Sequence, residues 1–397
     1  MAYQTRSTTS YGRRVSGSFK GIASGFLMFI IGTILLFWNE GNFVKTKKSL
    51  QEAEGVLVRV NDVSAVDPSL NSKLIHASAF ADTKDVLNDG LFGLNETAIS
   101  ISRKAEFYQY EEHSSTQTRD RIGGGQETIT TYTYELRWTS SQVNSEKFND
   151  PNYRSSNFVI ANVESKTEHA KNVSFGGYKL PASIISSISG SIPAQVNFSE
   201  TQYWQWEKII ADTRMALRLR PDTEPTRYVH VNGNMVYFGR SPAAPNIGDV
   251  RVTLTKTMPT DISIIAQVNG STFESYTASN GKTVLEVSMG TVSADKMFAH
   301  AHSSNSTLTW ILRIIGIILV IGGLKSMFSI LPTLFKIIPF LGNIVGAGVG
   351  LVCTVFGGAW SLLIIAIAWL FYRPLIGILL LAVVVAGIWY LKRKSKE

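Results

Sequence analysis

"AWLFYRPLIG", residues Ala368–Gly377, sets a single arginine, Arg373, between two long apolar runs. An arginine held at the centre of a bilayer costs about 3 kcal/mol or more on insertion scales, so Arg373 marks a turn at the headgroups and not the middle of a span. Pro374 then occupies the first turn of a new helix, where a missing N–H costs nothing. Reading outward from this turn gives four crossings, at residues 21–38, 308–327, 343–371 and 374–391. An α-helix needs about 20 apolar residues to cross a hydrocarbon core roughly 30 Å thick. Arg313, one to two turns inside the second crossing, is expected to snorkel back to the interface. The first run is longer than a signal-peptide core, and the "NEGN" after it offers no cleavage site, so it reads as a retained anchor.

The formal net charge of +8 invites a nucleic-acid reading. Its distribution removes that reading. Residues 42–307 hold 26 Lys and Arg against 28 Asp and Glu, and the other 12 basic residues face only Glu40 and Glu397. The excess therefore flanks membrane segments, and no nucleic-acid partner is expected. Ten of the flanking cations fall on one side of the four-span layout: four before residue 21, Lys325 and Lys336, and four in "KRKSKE". The positive-inside rule makes residues 1–20 and 392–397 cytoplasmic tails and places residues 39–307 across the membrane as one large domain. Trp38, Trp310, Trp369 and Tyr372, with Arg373, would anchor the outer interface. Residues 328–342 are apolar but broken by Pro332 and Pro339, which fits an interfacial or re-entrant piece on the cytoplasmic side.

The large domain reads as strand-dominated α+β. "GVLVRVNDV" (Gly55–Val63) alternates like a half-buried strand, and "TAISISRKAEFYQYEE" and "TITTYTYELRWTS" alternate more strongly. These last two flank "HSSTQTRDRIGGGQE", which predicts a long antiparallel hairpin with a mobile tip. "DVRVTLTK", "SIIAQVNG" and "TVLEVSMGTV" add strands, with turn signals at Asn269-Gly270 and Asn280-Gly281. Helix is expected in "SIISSISGSI", with Ile184, Ile185, Ile188 and Ile192 on one face, and in "ETQYWQWEKIIADTRMALR". "SADKMFAHAH" predicts a short capped helix leading into the second crossing.

Few residues point to chemistry. Cys353 is the single cysteine, so no intrachain disulfide or cysteine-rich metal site is possible. His300 and His302 are two apart and do not share a helix face. No G-x-S-x-G, P-loop or dinucleotide fingerprint is present. Asp249 and Arg251 fall on one face of a strand, where a cross-strand ion pair explains them better than catalysis. No catalytic residue, cofactor or metal site is assigned. The four predicted crossings contain no Asp, Glu or His, which argues against a proton-coupled transporter. They are instead rich in small residues, with G-x-x-x-G pairs at Gly21 and Gly25 and at Gly346 and Gly350, spacing that lets helix backbones approach closely.

Taken together, "LLFWNEG" after the first crossing, "AEFYQYEE…TYTYELRW…NSEKF" in the hairpin block, "APNIGDVRV" and "AWLFYRPL" resemble the transmembrane protein 43 (LUMA) family in order and spacing. Residues 199–227 resemble it least. The resemblance implies one N-terminal span, a large lumenal or extracytoplasmic domain and three C-terminal spans. It also implies a non-enzymatic organiser of the endoplasmic reticulum and inner nuclear membrane that oligomerises and contacts other membrane proteins, or, in a bacterium, an inner-membrane protein with a periplasmic domain. Membrane lipid, further copies of the chain and other membrane proteins are the expected partners. The alternatives are a membrane-anchored enzyme or lipid-handling protein, which would bring Asp249, Arg251 or His300 together in a pocket, and a channel regulator.

Overall fold

A computed structural model of the protein describes residues 3–222 and 224–373. The predicted fourth crossing, 374–391, and the tail, 392–397, lie outside the described residues. The chain opens with a strand, β1 (Tyr3–Thr9), followed by a 46-residue helix, α1 (Tyr11–Val56). At 1.5 Å per residue α1 is about 69 Å long. Its apolar run, 21–38, is therefore only a middle section, and residues read as tail and as first strand extend it at both ends. Because α1 continues to Val56, "GVLVRVNDV" keeps only Val58–Arg59 as strand.

The domain that follows is built from β2 (Leu74–Thr83), β3 (Ser100–Asp120), β4 (Gln126–Thr139), α2 (Glu200–Ala216), β5 (Val229–Asn232), β6 (Met235–Phe238), β7 (Val250–Thr257), β8 (Thr260–Asn269) and β9 (Glu286–Met289). One sheet runs β1-β4-β3-β7-β6-β5, with short strands Lys166–His169 and Ile192–Pro193 added to β3 and β7. A second sheet has β8 at its centre, paired with β2 and β9. β8 is buried on both faces from Ile262 to Ala266, which is why "ISIIA" reads as a continuous run and not an alternating one. The first sheet's core gathers Phe92, Trp206, Ile210, Phe238 and Val252, and the second's gathers Ile75, Phe175, Ile184, Ile262 and Ile264.

α2 starts where a capping box dictates, with Ser199 and Gln202 satisfying each other's backbone N–H groups. Its Trp206 and Ile210, one turn apart, enter the core, and the Trp206 indole donates to Leu91 O at 3.0 Å. Trp204 of the same aromatic cluster stays exposed. "SIISSISGSI" forms only a single turn, Ala182–Ile185. Gly190, at φ +103°, turns the chain away, and Ile192 is an exposed strand residue opposite Lys256. Ile192 thus leaves the face it was expected to share with the three buried isoleucines.

Among the described residues three helices are long and apolar enough to cross a membrane: α1, α3 (Ala294–Met327, extended by the short α4, Ile330–Phe335) and α5 (Pro339–Tyr372). "SADKMFAHAH" is the first section of α3 and not a separate element. The domain sits on the bundle where Leu50 and Ala53 of α1 and Met297 and Phe298 of α3 pack against Leu74 and Ile265.

The hairpin β3–β4 is longer and more constrained than its sequence suggests. It pairs from Phe107↔Thr139 to Asp120↔Gln126, so only residues 121–125 turn. The tip is tied down. Asp120 forms ion pairs with Arg14 (2.9 Å) and Lys336 (2.7 Å), Arg14 also donates to Gly124 O (2.8 Å), and the Gly123 N–H donates to Ile337 O (3.1 Å). β1 lies along β4 from Tyr3↔Tyr132 to Thr9↔Gln126. A polar, glycine-rich stretch reads as mobile when its partners, here more than 100 residues away in sequence, are not in view. The domain therefore touches both ends of α1, near Leu50 directly and near Arg14 through the hairpin.

Partial burial raises the Asp120 carboxyl, and Lys336 and Arg14 more than offset this, so it sits below the ordinary aspartate range. A depressed carboxyl contributes stability that is complete above its unfolded value, about 3.9, and is lost as pH falls through the folded value. Amide hydrogen exchange, corrected for intrinsic rates, should show residues 121–125 protected from pH 7 down to about 4 and opening progressively as the pH falls further, through the lowered folded value. Asp120→Asn should open the tip at pH 7.

Candidate functional site: the helix bundle and its charged joint

α1 and α3 run antiparallel in close contact because glycines face each other. A Cβ at Gly25 would lie 2.6 Å from Gly323 O, and one at Gly323 would lie 2.6 Å from Gly25 O. Two turns further, a Cβ at Gly32 would lie 2.9 Å from Leu319 Cβ, and one at Gly316 would meet Leu36 at 2.6 Å. Glycines seven apart return to the same helix face, as in left-handed packing. Gly21 lies at the looser end of the seam, where its carbonyl accepts from Ser326 Oγ at 2.8 Å. The G-x6-G spacing in both segments is a sequence signal for this contact.

α5 packs on this pair through Cys353 and Gly357, against Leu36, Val320 and Ile321. Nearer its start it diverges, leaving an apolar cavity of about 620 Å3 lined by Phe26, Phe29, Met327, Phe328, Val352 and Phe356 among others. Gly346 lies beside Pro332, and Gly350 has open space where a side chain would go. Neither makes a close helix contact among the described residues.

At the other end of the bundle a carboxylate holds three helices. Glu40 of α1 is fully buried; Arg313 of α3 donates to it through Nε (2.5 Å) and Nη2 (2.8 Å), and the Trp369 indole of α5 donates to Oε2 at 2.8 Å. The Arg313 guanidinium also lies 4.6 Å from the Trp310 ring centroid. Arg313 thus turns inward to a buried partner and does not snorkel, because a bidentate carboxylate satisfies a guanidinium better than a distant headgroup. Asn39 donates to Thr309 O (3.0 Å) and Asn305 to Phe43 O (3.1 Å), reinforcing the same level. Sequence reasoning placed Glu40 outside the span and so missed it. Its signal was the acid of "FWNEG", two residues past the end of the first apolar run, with Arg313 five residues inside the matching end of the second.

The aromatic residues expected to anchor the interface gather at this end in two ways. Trp38 and Trp310 face outward and are exposed. Trp369 turns in toward Glu40, Tyr372 packs on Phe37, and Arg373 lies 4.8 Å from the Phe43 ring centroid and 5.6 Å from that of Trp369. In the domain, Arg251 pairs across the strand with Glu106 at 2.8 Å and lies over Trp138, whereas Asp249 turns to Tyr237. His300 sits on α3, near Glu286. The three therefore do not converge. Among the described residues no cluster of three His, Cys, Asp or Glu side chains could hold a metal ion.

The family model for transmembrane protein 43 matches residues 107–374. Mouse transmembrane protein 43 is 30% identical over 374 residues, spanning 91% of this chain and 87% of the relative. The human protein is 27% identical over 388 residues, 95% and 90% of the two chains. A Drosophila melanogaster homolog is 24% identical over 383 residues, 92% and 93%. No solved structure matches the chain.

Removing one partner of a buried ion pair strands the other, at a cost of about 3–5 kcal/mol, whereas replacing both by apolar groups is often nearly neutral. Glu40→Leu should lower unfolding stability in detergent by about that amount, and adding Arg313→Leu should recover most of it. Gly25→Leu should cost about 1–3 kcal/mol through overpacking, while Gly350→Leu, with open space, should change stability by no more than about 0.5 kcal/mol.

Proposed function

The chain belongs to the transmembrane protein 43 family, and on that premise we propose that it is a non-enzymatic multi-pass membrane scaffold that self-associates and contacts other membrane proteins through its large domain. In this reading the basic flanks place both termini in the cytoplasm and the domain across the membrane, in the lumen of the endoplasmic reticulum and nuclear envelope or in a bacterial periplasm. The same flanks favour anionic lipid on the cytoplasmic side.

The observation that carries self-association is a polar hairpin clasped to the far end of an apolar bundle. From Phe107 to Asp120 the hairpin covers about 43 Å at roughly 3.3 Å per residue, more than the thickness of a hydrocarbon core. Along that length it carries Glu111, Glu112, His113 and Arg119, with Glu127 and Glu135 on the returning strand. A charged group facing acyl chains costs about 2.5–3.5 kcal/mol, and non-helical backbone is tolerated at membrane depth only where protein or water surrounds it. Lipid therefore suits the bundle's exposed apolar faces, such as Ile34, Ile315 and Leu362, and further copies of the chain suit the flank that the hairpin occupies. Among the described residues nothing stands within 4 Å of where a Cβ would lie at Gly350 and Gly358 of α5, which gives a neighbouring helix room for close approach.

Chemical crosslinking in intact membranes should trap a defined multiple of the chain, and Gly350→Leu should reduce that species several-fold while leaving monomer stability unchanged. A chain that crosslinks to nothing and purifies as a monomer would overturn the scaffold reading.

A further inference from the structure

Beside α2 the large domain holds a polar cavity of about 390 Å3. Asp249, only 4% exposed, forms part of its wall just before β7. Both hydrogen bonds that reach this carboxylate fall on Oδ2, from the Tyr237 hydroxyl at 2.5 Å and the Asn246 N–H at 2.8 Å. Among the described residues no protein donor reaches Oδ1. Gly239 leaves the room this needs, since a Cβ there would stand 2.6 Å from either carboxylate oxygen. Burial pushes the Asp249 carboxyl up despite its two donors, as expected for an acceptor short of hydrogen bonds.

The mouth of the cavity is cationic. Arg214, Arg220 and Arg240 line it with one carboxylate, Asp222. Asp222 is already served by Arg240 at 2.9 Å, by Arg214 at 3.5 Å and by the Tyr228 hydroxyl. Arg214 is further held over the Tyr228 ring, 4.4 Å from its centroid. Arg240 is half exposed and Arg220 exposed, so guanidinium donors remain for an outside anion. Phe158 and Ile160 supply an apolar wall. An arginine rim with a recessed carboxylate acceptor at hydroxyl-binding depth suits a molecule carrying an oxyanion at one end and a hydroxyl at the other. The planar guanidinium fork matches phosphate oxygens, and the three guanidiniums outnumber the two carboxylates of the cavity, Asp222 and Asp249, which favours an anion. The volume lies at the small end of ordinary ligand pockets.

We propose that this cavity binds a small polyol phosphate, its phosphate on Arg220 and Arg240 and a hydroxyl donating to Asp249 Oδ1. The same chemistry is available from a soluble metabolite or from the glycerophosphate headgroup of a lipid.

The test is calorimetric titration of glycerol 3-phosphate into the full chain held in phosphatidylcholine nanodiscs. Saturable binding is expected, tighter than that of inorganic phosphate, and at least ten-fold weaker in the Arg220→Ala/Arg240→Ala double variant. Both side chains lie at the surface, and circular dichroism checks that the variant is folded; should it not fold, Arg240→Ala alone carries the comparison. Absence of saturable binding, or equal affinity in the variant, would overturn the proposal. Repeating the titration in discs containing phosphatidylglycerol separates the sources. A lipid headgroup that fills the site abolishes the signal, and a soluble ligand's site leaves it unchanged.

Discussion

Glu40 is the constraint on which the membrane part of this protein depends. A carboxylate with no exposure, at the end of the apolar run of a helix, persists only if donors come to it. Here they come from two other helices: Arg313 through two nitrogens, and Trp369 through its indole. That geometry fixes the height of α3 against α1 and of α5 against both, because a shift of one turn, about 5.4 Å, would leave a guanidinium or a carboxylate stranded. The pair is best understood as a registry device. An apolar replacement would hold the helices together about as well, but it would not specify where along their length they meet.

The glycine seam makes that register possible. The Glu40–Arg313 bonds at 2.5 and 2.8 Å require α1 and α3 to lie close together, and Gly25, Gly32, Gly316 and Gly323 remove the side chains that would hold them apart. The same two helices project beyond the apolar zone and seat the domain through Leu50, Ala53, Met297 and Phe298. Register in the membrane is thereby passed to the second sheet, while the first sheet reaches the opposite end of α1 through β1 and the Asp120 clasp. A domain attached at both ends of one helix is poorly placed to swing independently.

Local pattern carried much of the secondary structure. The alternation in Ser100–Thr139 predicted the hairpin, although burial alternates only across Ala105, Phe107 and Gln109, and the paired stretch beyond them is partly or fully exposed. The helix expected in "ETQYWQWEKIIADTRMALR" begins at Glu200 because the Ser199–Gln202 capping box is satisfied within four residues. The sequence was less informative where an element continues through a change of composition, as α1 does from its apolar run into charged residues at both ends, or where a glycine ends a helix early, as at Gly190. The Asp249 cavity was visible only in part. Asp249 and Arg251 were singled out as a pair, yet the strand sends one to Tyr237 and the other to Glu106, and the arginines at the cavity mouth come from residues 214–240, with no motif to mark them.

The sequence by itself determined that this chain is a membrane protein with a strand-rich domain set between apolar segments, because hydrophobic length and charge bias are sums over neighbouring residues and need no partner. It also determined the family, through the order of short blocks along the chain. Tertiary structure alone decided which glycines meet, that Glu40 lies within the bundle and not at its rim, that Arg313 turns inward, and that a polar loop tip is clasped by Arg14 and Lys336. Each of these joins residues from about 100 to more than 300 positions apart, and an isolated charge or glycine has the same local signature whether its partner is water, lipid or another helix.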